Sequence, residues 1–294
     1  MQERKKHIKL TNDLVFKAVY GSGDDSSRAA LSSMLNLILG RKDNPIVDVQ
    51  IRNPINYAKQ RIDKESILDI RCVTDSGELI GVEMQVKSIG GMDNRMVYYQ
   101  AKNMSKILKK KQEYANMKKT ISICIMVGKY LPDTESFHNV FRYKNIETDK
   151  ELTDISEIQF VELGKIDASK PLEEMSELER YGLFLMYANE EKMADYVEKL
   201  KSFGDEVILM SDAILRKYTE DEILAELAED RELFLIEQEV MRIRYDNLQK
   251  ALIEKDNIIA NKDKDYARKL KQKGISVEDI AEITELAVAE IEKL

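Results

Sequence analysis

Proline is scarce in these 294 residues, with four in all, and glycine numbers only twelve. A chain so short of both helix breakers is not loop-rich, and long uninterrupted helices are expected over much of it. Cysteine is limited to Cys72 and Cys124, each inside an apolar strand-like run, which reads as two reduced core residues rather than a disulfide framework. The two histidines, His7 and His138, stand far apart, and no Cys/His spacing suited to zinc occurs. There is no N-terminal apolar signal region and no run of 18 apolar residues, so a cytoplasmic chain without a membrane partner is expected. Gly21-Ser22-Gly23 lacks the Gly-Lys-Ser/Thr that a phosphate-binding P-loop needs.

The charge that is present is unevenly placed. Net charge is −8, which argues mildly against a nucleic-acid partner. Residues 1–150, however, carry 26 Lys and Arg against 18 Asp and Glu, and residues 151–294 carry 20 against 36. A basic first half joined to an acidic second half assigns any anionic partner to the first.

The most informative stretch is ILDIRCVTDSGELIGVEMQVK, Ile67 to Lys87, in which apolar and polar residues alternate in two runs around a turn signal. Leu68, Ile70, Cys72, Ile80, Val82, Met84 and Val86 share one face; Asp69, Arg71, Glu83, Gln85 and Lys87 share the other. Asp75-Ser76-Gly77 suits a three-residue loop closing on a Thr74/Glu78 pair, with Gly77 left-handed. Counting back from that pair sets Asp69 opposite Glu83. Carboxylates so placed have Cβ atoms roughly 4.5–5.5 Å apart and destabilise the sheet unless compensated. A divalent cation with oxygen ligands compensates them; so does Arg71 on a solvated face, and spacing alone leaves both open.

Asp69 followed by Glu83-Met84-Gln85 resembles the PD-(D/E)XK nuclease core. The chain is closest to its Rpn-type branch of recombination-promoting nucleases, also called PD-(D/E)XK family transposases. LTNDLVFKAVYG near the start, RMVYYQAK after the hairpin and GISVEDIAEITELAVAEIEKL at the end agree with that branch. The resemblance implies a restriction-endonuclease-like αβββαβ core with a mixed sheet, followed by a helical C-terminal region. It further implies a divalent-metal-dependent DNA endonuclease linked to recombination, transposition or mobile-element defence. Asp69 and Glu83 would hold Mg²⁺ or Mn²⁺ with the Met84 carbonyl. Gln85 stands where related nucleases often carry Lys; lacking charge, it would orient water, and Lys87 would supply the charge. Asp13 would line the cleft from the first helix, or merely pair with Lys17 one turn on. The alternative is an inactive DNA-binding or oligomeric regulatory protein that keeps the fold.

A helix is expected from Asp93 to about Glu113, with Val97, Ala101, Met104 and Leu108 spaced for burial. Arg95, Lys102, Lys106 and Lys109 recur on another of its faces with Tyr99 among them; the stripe is either a solvated face or, following the Glu83 strand, a contact for DNA phosphates, and Tyr99 either packs or stacks on a nucleotide. Strands are expected over 48–57, 120–127 (parallel to an earlier strand), 137–143 and 158–163. The nuclease-like domain is placed at 1–170, a helical region with a long amphipathic arm at 171–272 and a short helical tail at 273–294. Helices are expected at 173–201 and 205–218, then one or two from Asp221 to Lys271. In the arm Leu227, Phe234, Met241, Leu248 and Leu252 approximate a heptad seam interrupted by Arg231, Gln238 and Lys255, so the arm is expected either to pack on its own domain or to pair, as a coiled coil, with a second copy in a homodimer. In the tail a helix ends near Thr284, and Glu285 replaces the turn glycine usual in the family, against a tight turn there. With six acidic residues and one late Lys293, the tail is unsuited to reading DNA.

Overall fold

The computed structural model describes residues 8–52, 70–86, 90–107, 113–219 and 221–294. They form two compact units, Met1–Glu232 and Leu233–Leu294. In the first, helix α1 (Asp13–Gly21) starts at Asn12, whose side chain accepts the Leu14 and Val15 amides, as an N-cap should. Helix α2 (Asp25–Leu39) is capped by Asp24 and ended by Gly40, left-handed at φ +65°. Then follow β1 (Val49–Ile51), β2 (Ile70–Thr74), β3 (Leu79–Gln85), α3 (Met92–Met104), β4 (Thr120–Met126), β5 (His138–Phe141) and β6 (Ser156–Glu162).

The six strands lie in the order β1-β2-β3-β4-β6-β5. β1, β2 and β3 pair antiparallel, β3, β4 and β6 parallel, and β5 closes the far edge antiparallel to β6. This is the expected mixed sheet. Its apolar face carries Ile70, Cys72, Ile80, Val82, Met84, Ile121, Ile123 and Ile125. Those residues share one core with α1, α2, α4 (Glu177–Tyr187), α5 (Ala194–Ser202), α6 (Glu206–Thr219) and the start of α7 (Glu222–Gln272). Tyr181 Oη donates to Tyr20 Oη at 2.8 Å, and Tyr20 Oη to Ser211 Oγ at 2.7 Å. This buried hydroxyl chain ties α4 and α6 to α1. Both cysteines are free and buried, and burial pushes the Cys72 thiol up to about 12, so it is inert.

Some boundaries differ from the periodicity. The helix expected over 173–201 is two, α4 and α5, because Asn189 turns the chain at φ +65° and its amide donates to the Ile8 carbonyl at 3.0 Å. α3 ends at Met104 rather than near Glu113, and positions 108–112 lie outside the described residues. Of the strand expected over 48–57, Val49–Ile51 is described. Of the one or two helices expected from Asp221 to Lys271, the structure forms one, α7, of 51 residues. In the second unit Met241, Leu248 and Leu252 on α7 are more than half exposed. Helix α8 (Val277–Thr284) ends at the expected residue. Glu285 makes the tight turn that its side chain seemed to forbid: it takes φ +58° and donates its amide to the Ala281 carbonyl. A single left-handed position is strained for Glu but within reach when the cap bond forms.

Candidate active site

The β2–β3 hairpin forms in the register that its turn dictates. Gly77 sits at φ +86°, the Thr74 amide donates to the Glu78 carbonyl at 3.0 Å, and the described pairs run from Val73–Leu79 to Ile70–Val82. Asp69 and Lys87 lie outside the described residues. Glu83 follows Val82 on the strand face opposite the core, and Met84 turns its side chain into the core.

On that polar face Glu83 is buried, while Arg71 and Gln85 are half-buried. α3 covers this face, with Met92, Met96, Gln100 and Asn103 buried. Val97, expected in the core, is 57% exposed. Met92 and Met96 pack on Cys124, Met126 and Phe160, while the next turns of the helix meet polar strand groups. Gln100 Nε2 donates to the Thr120 carbonyl at 2.8 Å and the Ser156 hydroxyl at 2.9 Å, and Ser122 Oγ donates to Gln100 Oε1 at 2.6 Å. Buried polar groups need partners, and that need outweighed apolar spacing. Gly81 leaves room for Asn103, whose Nδ2 would lie 3.3 Å from an added Cβ.

This orientation of α3 brings Arg95 inward. Arg95 Nη2 lies 2.6 Å from Glu83 Oε1, with the carboxylate side chain 4% exposed and the arginine 35%. Arg95 Nε donates to Tyr99 Oη at 2.9 Å, and the guanidinium stands 5.2 Å from the Tyr99 ring centre. Arg95 and Tyr99, read from sequence as facing DNA, are thus built around Glu83. The other Glu83 oxygen, Oε2, is buried and makes no hydrogen bond among the described residues. Burial raises the Glu83 carboxyl above its usual range, Arg95 opposes the shift, and the charge of Asp13 adds to it.

Asp13 opens α1. Its Oδ1 accepts the Leu14 amide at 3.1 Å, and its Oδ2 accepts from Arg231 Nε at 2.8 Å and Nη2 at 2.7 Å. The ion partner of Asp13 is therefore a residue of α7, not Lys17. Lys102 on α3 and Lys106, two residues past its end, are exposed. Desolvation, and after it the charges of Arg71 and Lys102, hold the Lys106 ammonium below its usual range. Tyr98 is the more exposed aromatic there, with Lys102 Nζ 5.9 Å from its ring centre. Sequence reasoning missed Arg231, whose only signal was a charge in an apolar seam.

Among the described residues no three His, Cys, Asp or Glu side chains form a group able to hold a metal ion by themselves. The Glu83 carboxylate nonetheless fits a cation ligand, since a buried oxygen without a hydrogen-bond partner is costly unless something positive occupies its lone pairs. Also among the described residues, no helix is long and apolar enough to cross a membrane. Residues 10–262 match a family profile described as PD-(D/E)XK nuclease family transposase. Comparisons with curated proteins and with solved structures returned no match.

Proposed function

Because the chain belongs to the PD-(D/E)XK nuclease family transposases, a family of nucleases related to transposition, we propose that it is a divalent-metal-dependent DNA endonuclease. The observation that carries this reading is Glu83: buried on the strand that the motif requires, held through one oxygen by Arg95 and with no hydrogen bond to the other. In this reading Asp69, Glu83 and the Met84 carbonyl hold Mg²⁺ or Mn²⁺. Such an ion, when bound, would supply polarisation of a phosphate and activation of water. Gln85, which carries no charge, orients that water, and Lys87 stabilises charge on the phosphate. Arg95 fixes the Glu83 carboxylate through Oε1, and Tyr99 fixes Arg95. Lys102 and Lys106, both exposed, meet backbone phosphates, contacts that position DNA without reading its sequence. The exposed α7 residues Met241, Leu248 and Leu252 pair with a second copy of the chain.

The test is cleavage of plasmid and single-stranded DNA with Mg²⁺, Mn²⁺ or chelator, by the wild type, Asp69→Asn and Glu83→Gln. Metal-dependent cleavage lost in both folded variants is the expected result. A wild type that cuts nothing and melts identically with and without either metal would return the chain to the alternative of a non-catalytic DNA-binding protein.

A further inference from the structure

Along α7 the sign of the charge reverses. From Glu222 to Glu254 the helix carries four Lys and Arg against nine Asp and Glu. From Lys255 to Lys273, one residue past its end, the count is seven against three. The acidic second half of the chain thus contains a basic stretch that its overall balance conceals.

The lysines of that stretch are ordered. Lys255, Lys262, Tyr266 and Lys269 follow one another at seven, four and three residues, and at about 100° per residue these spacings hold them on one face of the helix, which Lys273 extends. On earlier turns the same face carries Met241, Leu248 and Leu252, so the seam that Lys255 interrupts is continued in charge. All four lysines are exposed, and Tyr266 is 52% exposed. The nearest acids, Asp256, Asp263 and Asp265, lie about a quarter turn to either side, and Asp265 is held by Arg268 at 2.8 Å. A different face packs on the tail: Ala267 and Leu270 are buried there, and Lys264 reaches Glu290 at 2.7 Å.

A solvated helix surface does not account for this pattern. Arg242, Lys264 and Arg268 on the same helix each have an acid, whereas among the described residues none of the four lysines forms an ion pair. Lys269 and Lys273 stand four apart, a spacing at which like charges weaken a helix. The helix dipole favours cations only in the last turn, which accounts for Lys269 and not for Lys255 or Lys262.

We infer that this stripe is a second contact surface for a nucleic-acid backbone, with duplex DNA as its partner. From Lys255 to Lys269 it spans roughly 21 Å at 1.5 Å per residue. Duplex DNA offers one phosphate charge per about 1.7 Å of axis, so every lysine of the stripe has a phosphate within reach. The Tyr266 hydroxyl donates to a further phosphate oxygen. An anionic membrane surface fits less well, because an interfacial helix must bury an apolar face and Ala267 and Leu270 are already buried against the tail. The inference goes beyond the proposed function, which puts DNA on Lys102 and Lys106, and it requires no metal at Glu83.

The test is fluorescence anisotropy of a labelled duplex with the full chain, in chelator, over a series of salt concentrations. The wild type is compared with Lys255→Gln/Lys262→Gln/Lys269→Gln/Lys273→Gln and with the control Lys150→Gln/Lys192→Gln/Lys199→Gln/Lys250→Gln, which removes as many exposed charges elsewhere. The stripe variant is expected to flatten the slope of log affinity on log salt by about 3 to 4, at about 0.9 per phosphate lost, while the control keeps the wild-type slope. Lys255→Gln/Lys262→Gln, away from the tail, carries the test if the fourfold variant loses its helix content by circular dichroism; its slope change is about 2. An unchanged slope in the stripe variant, or an equal flattening in the control, overturns the inference. So does a stripe variant that holds DNA as before but loses binding to phosphatidylserine vesicles, which would make the surface a membrane contact. No cleavage is read, so a wild type that binds duplex and cuts nothing sinks the nuclease reading and leaves this inference standing. A wild type that binds no duplex sinks it together with the Lys102 and Lys106 contacts.

Discussion

Removing either partner of the Glu83–Arg95 pair should have unequal consequences, because the two side chains differ in access to water. Glu83 is 4% exposed and Arg95 35%. Breaking a fully buried ion pair by deleting one partner costs about 3–5 kcal/mol, most of it from the charge left behind. In Glu83→Gln the charge left behind is Arg95, which can turn toward solvent, so the loss should be about 1 kcal/mol or less. In Arg95→Gln it is Glu83, which cannot, and whose Oε2 already lacks a hydrogen bond. There the loss should be about 2–3 kcal/mol, the range for a buried charged group losing its partner after allowance for the partly exposed arginine.

The pH dependence follows from burial. Burial holds the Glu83 carboxyl above its ordinary 4.5, so the folded chain binds this proton more tightly than the unfolded chain does. Stability from this group is therefore present below 4.5 and is lost as pH rises through the elevated value. Without Arg95 the elevation grows, so the Arg95→Gln deficit is small near pH 5 and full at pH 8. Urea unfolding followed by circular dichroism, in metal-free buffer at both pH values, measures each term. Adding Mn²⁺ at pH 8 should then restore Arg95→Gln more than it stabilises the wild type, by preferential binding to the folded state. Equal losses in the two variants, or an Arg95→Gln deficit independent of pH, would refute the reasoning from burial.

Three further outcomes are expected. Gln100→Leu strands the Thr120 carbonyl and the Ser122 and Ser156 hydroxyls, and should cost about 2–4 kcal/mol in urea melts. Full-length protein should bind duplex DNA with a strongly negative slope of log affinity on log salt, and Lys102→Gln/Lys106→Gln should flatten that slope by about 2; an unchanged slope removes these lysines from the interface. Sedimentation should find the wild type associated at micromolar concentration and Met241→Glu/Leu248→Glu monomeric, since both side chains are about two-thirds exposed; two monomers would end the proposal that α7 self-pairs.

How much the sequence determined can be followed along the hairpin. Alternation fixed which face of β2 and β3 is apolar, and the Asp75-Ser76-Gly77 turn fixed the register, because both are local: a period of two and a loop of set length leave one pairing. Shortage of Pro and Gly allowed one or two helices over Asp221 to Lys271, and the structure makes them one. The orientation of α3 was not legible, since its apolar spacing pointed Val97 inward while the sheet face it meets requires Gln100 and Asn103. With that rotation came the position of Arg95, which periodicity assigned to solvent and tertiary structure assigned to Glu83. The turn at Glu285 was misjudged for a similar reason, because a residue's preference for one backbone region yields when a cap bond forms. Arg231 marks the limit of local reasoning. Its charge could be read only as an interruption until folding brought it to Asp13, because an ion pair between residues 218 apart leaves no periodicity in either segment and exists only once the core has placed both helices.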